Sequence, residues 1–352
     1  MKKIIFLGGF LSMCIHGTAQ DQELRNIQGT AEKKIAEDTA HRSGWRKGLA
    51  FTLGVGQGGS RNWAAGAERF SFSIASYVSA YANLKSNKFS WRNTLDLGYA
   101  LMNTTSQGTR KTDDKIDLFS KIGTELSKTV SLGVVANFRS QFYKGFDYNY
   151  LGTGNRRATS AFLAPAYIIV APGIDWHPVE YFSIFFSPVS ARFVVVSNDP
   201  RRYYYSRGII PDSVKTPATG DYEIPVSVLY SVSPNKKVRR EVGGFASVNF
   251  FKEVFKNISY RSRLDLYSNY LRSSRYTVIG PDQISETKVP SSPEKVDVFW
   301  TNLLIMKVNN FLNVSYGFDL IYDDDVRQFG PNNTSPATQF RSQLTIGISA
   351  KL

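Results

Sequence analysis

Phe70 to Leu101 reads FSFSIASYVSAYANLKSNKFSWRNTLDLGYAL. Phe70, Phe72, Ile74, Val78 and Ala80 fall on one phase of a two-residue period, and Ser71, Ser73, Tyr77, Ser79 and Tyr81 on the other. Successive side chains of a strand point to opposite faces, so the stretch predicts a strand with one apolar and one hydroxyl-rich side. A short turn at Lys85 to Lys88 reverses the chain, and Phe89, Trp91, Leu95, Leu97, Tyr99 and Leu101 repeat the pattern. Both arms exceed ten residues, against about five or six for a typical soluble strand.

Working outward, Leu49, Phe51, Leu53 and Val55 form an earlier strand that stops at Gly58-Gly59. Alternating runs follow at Ile116 to Leu126, Val130 to Tyr143, Ala161 to Trp176, Tyr181 to Ser197, Val242 to Phe251, Ile258 to Leu271, Val296 to Val308, Leu312 to Tyr322 and Gln339 to Leu352. That gives about twelve strands. The connections alternate in length. Short ones lie at Lys85 to Lys88, Lys128 and Thr129, His177 to Glu180, Lys252 to Asn257 and Asn309 to Phe311. Long ones lie at Gly56 to Gly66, Asn103 to Lys115, Lys144 to Ser160, Asn198 to Glu241, Arg272 to Lys295 and Asp323 to Thr338. The fold expected is all-β: a transmembrane antiparallel up-and-down β-barrel with short periplasmic turns and long extracellular loops. No stretch of eighteen consecutive apolar residues follows the N-terminal region, which excludes membrane-spanning helices but not averaged-out barrel strands.

Lys2 and Lys3, an apolar run from Ile4 to Ile15 and the small residues Gly17-Thr18-Ala19 have the layout of a cleaved secretory signal. The expected organisation is a signal peptide at 1–19, a polar periplasmic segment at 20–43 and the outer-membrane barrel at 44–352. The one cysteine, Cys14, leaves with the signal, which removes disulfides, thiolate metal sites and cysteine nucleophiles. The chain carries 43 basic and 29 acidic residues, a net +14, or about +12 without Lys2 and Lys3. In an exported protein that excess points to anionic lipid or anionic solutes, and not to nucleic acid.

Six stretches share a further likeness: GGSRNWAAG, WRNTLDLGYAL, KTDDKIDLFSKIG, FRSQFYKGFDY, SAFLAPAYIIVAPGIDWHP and FSIFFSPVSARF. Together they make Gly54 to Tyr148 and Ser160 to Val196 resemble an uncharacterised family of outer-membrane barrels from Bacteroidota, a domain of unknown function. Pro172 and Arg192 depart from that pattern. The resemblance implies an integral outer-membrane protein and no activity.

Candidate chemistry is sparse. A lipid hydrolase at the rim would need a histidine base, yet the mature chain offers only His41, in the polar lead-in, and His177, in a tight turn. Asp113-Asp114 and Asp323-Asp324-Asp325 lack the staggered spacing of a Ca²⁺ cage and read as solvated turns. No catalysis, metal or cofactor is expected. Alternation turns Arg92, Asp96, Asp117, Lys121, Glu125, Arg139, Gln141, Arg261, Arg263, Asp265, Asp319, Arg341 and Gln343 into the lumen. Their mixed signs favour an ion-paired, closed or narrow interior over a charge-selective wall, because unpaired buried charge is costly. Arg201, Arg202, Tyr203, Tyr204, Tyr205 and Arg207 form a basic, aromatic extracellular loop suited to lipid head groups, with Lys215, Lys236, Lys237, Arg239 and Arg240 further along. Trp63, Trp91, Trp176 and Trp300 read as interfacial girdles. Leu344, Ile346, Ile348 and Leu352 share the apolar face of the last strand, similar to the signal that barrel insertion machinery reads. The expected partners are outer-membrane lipid and lipopolysaccharide, that machinery, and an outer-membrane protein complex. The expected role is a narrow pore or structural component of the outer membrane. An accessory subunit of a larger secretion, insertion or import assembly is the alternative, and a rim enzyme acting on lipid a third.

Overall fold

The computed structural model describes residues 43–61, 68–197, 203–217, 220–290, 295–308, 312–324 and 335–348. The signal peptide, the lead-in up to His41, Trp63, Arg201, Arg202, the turn Asn309 to Phe311, Asp325 and Leu352 lie outside the described residues. Sixteen strands are present among the described residues. In chain order they are β1 (Gly44–Gly59), β2 (Phe70–Ser86), β3 (Phe89–Thr104), β4 (Gly108–Glu125), β5 (Val130–Ser140), β6 (Gly145–Asp147), β7 (Arg157–Ser160) and β8 (Ala166–Val179); β9 (Phe182–Val195), β10 (Val238–Phe255), β11 (Ile258–Asn269), β12 (Ser273–Gly280), β13 (Gln283–Val289), β14 (Val296–Lys307), β15 (Leu312–Tyr322) and β16 (Gln339–Ile348) follow.

Twelve of them form one antiparallel sheet, ordered β1-β2-β3-β4-β5-β8-β9-β10-β11-β14-β15-β16. Each strand pairs with its predecessor and successor in that order, which is the up-and-down topology expected. The remaining four make two small hairpins, β6–β7 and β12–β13, inside the long loops. Among the described residues no ladder joins β1 to β16. No helix among them is long and apolar enough to cross a membrane.

The sheet is inside-out relative to a soluble barrel. Leu118, Ile122, Leu132, Val134, Val170, Ile174, Phe186 and Val189 are all exposed on the outer face, Phe186 by 54% and Val189 by 56%. On the opposite phase of the same strands lie Asp117, Lys121, Asn137, Asp175 and Arg192, which are buried or half-buried. Hydrocarbon is the solvent that suits such an exterior. Trp45 and Trp91 pack with ring centroids 5.7 Å apart near the tight-turn rim, where Trp176 and Tyr181 are also exposed.

Three long connections are more ordered than the sequence suggests. Asn103 to Lys115, expected as a long loop, is a hairpin that turns at residues 105–107, with Asn103 opposite Thr109. Polar residues on both faces hide these strand ends from any alternation count, and neighbouring backbone supplies the pairing. β10 starts at Val238, so Arg239, Arg240 and Glu241 belong to the wall and not to the loop. The connection after β11 contains the β12–β13 hairpin.

The wall bends sharply at β8–β9–β10. The β8–β9 register breaks between Val170 and Ile174, and the β9–β10 register breaks between Gly243 and Phe245. Pro172 and Pro188 fall inside these breaks, where the backbone donor that proline lacks is least missed. Ser190 Oγ donates to Gly243 O at 2.8 Å, and Tyr270 Oη to Pro188 O at 3.1 Å, satisfying carbonyls at the break. Bulges bend and twist a strand, and the consequence is a pinched cross-section. Twelve tilted strands about 4.8 Å apart would enclose a circle roughly 20–25 Å across. Yet the Arg139 guanidinium on β5 lies 5.1 Å from the Phe299 ring on β14, five strands away, and Arg263 on β11 lies 5.7 Å from Phe119 on β4.

A charge on the outer face is therefore expected to be costly. Leu118→Arg should destabilise the protein in lipid by about 2–4 kcal/mol, whereas Ser131→Arg on the inner phase of β5 should cost well under half of that; urea unfolding in vesicles measures both.

Candidate functional site: the barrel interior

The pinch presses an apolar column into the lumen. Val135, Ala171, Phe185, Phe245 and Tyr267 form one buried cluster with Phe119 and Ile169 against it. The Phe185 and Phe245 rings are 6.3 Å apart. Two glycines make room: a Cβ on Gly173 would strike the Phe185 ring and the Phe186 carbonyl, and one on Gly243 would strike the Ser268 carbonyl and crowd Tyr267.

Ion pairs surround this column, and six of the thirteen residues assigned to the lumen from sequence lie among them. Asp117 accepts from Arg139 Nε at 3.0 Å and Asn137 Nδ2 at 2.7 Å, with Lys115 Nζ at 3.6 Å. Lys121 pairs with Asp175. Arg263 Nη2 lies 2.9 Å from Asp265, which also accepts from Ser247 Oγ at 2.6 Å. Glu125 pairs with Lys85 at the tight-turn rim. Gln141 lies just past β5, its amide donating to Ala161 O at 3.0 Å. Asp96 is buried on β3, and Arg92, four residues before it, is exposed. Arg261 sits on the inner phase of β11 opposite Phe251 and Leu303. In the β15–β16 backbone register Asp319 pairs with Arg341, and Gly317 with Gln343.

The densest ionic cluster is one that sequence alternation misses. Arg192 pairs with Glu241 and, at 2.8 Å, with Asp297 from three strands away. Arg239 Nη1 meets the other Glu241 oxygen at 3.0 Å, and the Arg192 guanidinium stacks 4.0 Å above the Tyr267 ring. The bulge explains the miss. Phe185 and Ser187 are buried before it, Ser190, Arg192 and Val194 after it, so the inner phase of β9 changes from odd to even. A straight two-residue count puts Arg192 in lipid. Asp175 and Asp297 keep their strands' phases and were within reach of the count.

At the long-loop rim the loops fold onto one another and into the mouth. Val232 packs with Val194 and Val196 at the end of β9 and with Ala161 and Ala164, with Tyr167 and Tyr230 beside them. Tyr205 N donates to Glu223 at 2.7 Å, and Arg157 Nη1 donates to Tyr150 Oη at 3.1 Å beneath the same carboxylate. Tyr204 and Tyr205 pack edge to face at 4.9 Å and both meet Tyr150. The Tyr203 ring covers Gly208, whose φ is +70°. Arg207 lies 3.5 Å from Asp282 of the β12–β13 turn. The described part of the basic-aromatic segment thus binds neighbouring loops. Burial pushes the Tyr230 hydroxyl up to about 12; it raises Tyr150 also, against the pull of Arg157.

Asp114 accepts from the backbone of Phe142 and Tyr143 at 2.6 and 2.8 Å and pairs with Lys111 at 2.8 Å. Asp324 pairs with Lys295 at 3.2 Å. Both therefore serve as loop ties. His177 sits at the tight-turn rim, 4.0 Å from Asp175. Among the described residues no three acidic, histidine or cysteine side chains gather as metal ligands.

Opposite the filled column the wall is different. On β1 to β3 the inner phase carries Gly44, Gly48, Gly56 and Gly58, then Ser71, Ser73 and Ala75, then Thr94, Gly98 and Ala100. The Tyr81 ring lies over Gly48, and Arg46, Asn83, Arg92 and Asp96 share this phase toward the tight turns, so the small side chains dominate the half nearer the long loops.

A family profile described as Protein of unknown function (DUF3078) matches residues 55–146. No curated protein matches the chain. Among solved structures, the translocator domain of autotransporter NalP from Neisseria meningitidis aligns over 94% of this chain and 98% of its own at 9% identity, with a TM-score of 0.31. The COG4313 outer membrane channel from Pseudomonas putida F1 aligns over 88% and 97% at 8% identity, TM-score 0.36. The Pseudomonas putida toluene transporter TodX aligns over 87% and 81% at 8% identity, TM-score 0.31. Nothing about activity passes from these proteins to this chain.

Arg192→Ala leaves Glu241 with Arg239 alone and takes the Arg192 guanidinium from Asp297. The expected loss is about 3–5 kcal/mol in folded stability, measured by denaturant unfolding in vesicles.

Proposed function

We propose that this chain is an exported, integral outer-membrane barrel that works as a narrow conduit, without catalysis. The observation that carries the reading is the division of the interior. One side is blocked by the aromatic column and its ion pairs, and the other carries glycine, serine and alanine over the long-loop half of β1 to β3. A packed structural barrel has no need of a wall so poor in side-chain volume over half its height, and an open porin has no column. Val232 and its neighbours narrow the long-loop mouth further. The same reading includes removal of a signal after Ala19, tight turns on the periplasmic side, and kinship with the bacteroidotal barrels of unknown function whose sequence stretches this chain shares.

Planar-bilayer recording tests it. The purified protein should give small, discrete conductance steps, and Phe185→Ala with Phe245→Ala, which trims the column, should enlarge them. A membrane as silent with the protein as without it, for both forms, sinks the conduit.

A further inference from the structure

The tight-turn end of the β1–β3 wall holds a small recess of ≈ 30 Å³, lined by Gly44, Arg46, Asn83, Leu84, Lys85, Ser90 and Arg92. Its polar lining is made almost wholly of donors. Arg46, Lys85 and Arg92 bring three positive charges from three adjacent strands. Lys85 pairs with the Glu125 carboxylate, and Arg46 has a partner of its own. Arg92 is exposed to the lumen and has no ion pair among the described residues; Lys121, the nearest cation on β4, repels it and is itself matched with Asp175. Asp96, the next acid on the inner phase of β3, interacts electrostatically with Arg263.

A second observation is independent of charge. Asn83 is 3% exposed. Its Oδ1 accepts from Asn93 N at 3.0 Å, while its Nδ2 is buried without a hydrogen-bond partner. A buried amide donor left unmatched costs about 1–3 kcal/mol, so the fold keeps it at a cost that an acceptor in the recess would remove. Guanidinium and ammonium groups beside an unmatched N–H are the donor set that oxyanions bind, through short charge-assisted hydrogen bonds.

We propose that the recess formed by Arg46, Asn83, Lys85, Ser90 and Arg92 is a binding site for a small soluble oxyanion, a phosphate or carboxylate group, at the tight-turn mouth of the barrel. Elsewhere in the lumen Asp117, Asp175, Glu241, Asp265 and Asp297 match cations among the described residues. An anion held between Arg92 and Asn83 would pair the Arg92 guanidinium and take up the Asn83 amide hydrogen.

This inference rests on the conduit reading only for the route by which solute arrives. Calorimetric titration of inorganic phosphate into the full mature protein in zwitterionic detergent tests the site without any conductance. Saturable binding is expected, weakened about tenfold or more by Arg92→Gln and again by Asn83→Ala; both variants should keep heat-resistant electrophoretic migration as a sign of intact folding. Lys252→Gln, a lysine stacked on Tyr181 away from the recess, should leave binding unchanged. Absence of saturable binding, or equal binding by wild type and Arg92→Gln, overturns the proposal. Displacement of bound phosphate by phosphatidylglycerol vesicles but not by glycerol phosphate assigns the recess to a lipid head group and overturns it too. Phosphate binding with a silent bilayer leaves the site standing and removes the conduit.

Discussion

Every backbone amide and carbonyl of a chain in hydrocarbon must find its partner within the protein, since no water is there to take its place. The rest of this structure follows from that requirement. It selects long antiparallel wall strands, each paired on both edges between β1 and β16, and it sends side chains alternately to two different solvents. Leucine, isoleucine, valine and phenylalanine face outward because the lipid accepts them; aspartate, lysine, arginine and asparagine face inward because the lipid does not. Hydrogen bonding also explains where the ladder departs from regularity. Pro172 and Pro188 occur only where the register breaks, and hydroxyls on Ser190 and Tyr270 take up carbonyls there.

That irregularity has a cost in pairing and a return in shape. The bulged stretch at β8–β9–β10 turns the wall sharply enough for β4 and β5 to face β11 and β14 across a short gap. Once opposite walls approach, charged side chains share a poorly hydrated space, where an unmatched charge is far more expensive than a matched one. The near-complete pairing of Asp117, Lys121, Asp175, Arg192, Glu241, Asp265 and Asp297 follows. Gly173 and Gly243 let aromatic rings lie flat against the backbone, so the column and the ion pairs fit in the same narrow section.

The long loops obey a similar economy of burial. Tyr150, Tyr204 and Tyr205 cover one another, and the buried Glu223 ties two loops together through Tyr205 and Arg157. A segment whose composition suited lipid head groups is instead, over its described residues, the contact between loops. Val232 extends that assembly onto the inner phase of β9, so the mouth is shaped by loop packing as much as by strand number.

By itself the sequence determined the class of fold, the twelve strands of the wall and the face to which most side chains belong, because a period of two is a local property that needs no partner to be read. The alternation of tight and long connections added the up-and-down order. Tertiary structure alone decided the rest. The hairpin at Asn103 to Lys115 was hidden because polar residues occupy both of its faces. Arg192 escapes the alternation count because a bulge shifts the phase of β9 in mid-strand, and a bulge exists only between paired strands. The filled column, the Arg192–Glu241–Asp297 cluster and the donor-rich recess around Asn83 and Arg92 all join residues from different strands, and only the curvature of the assembled sheet fixes which of them meet.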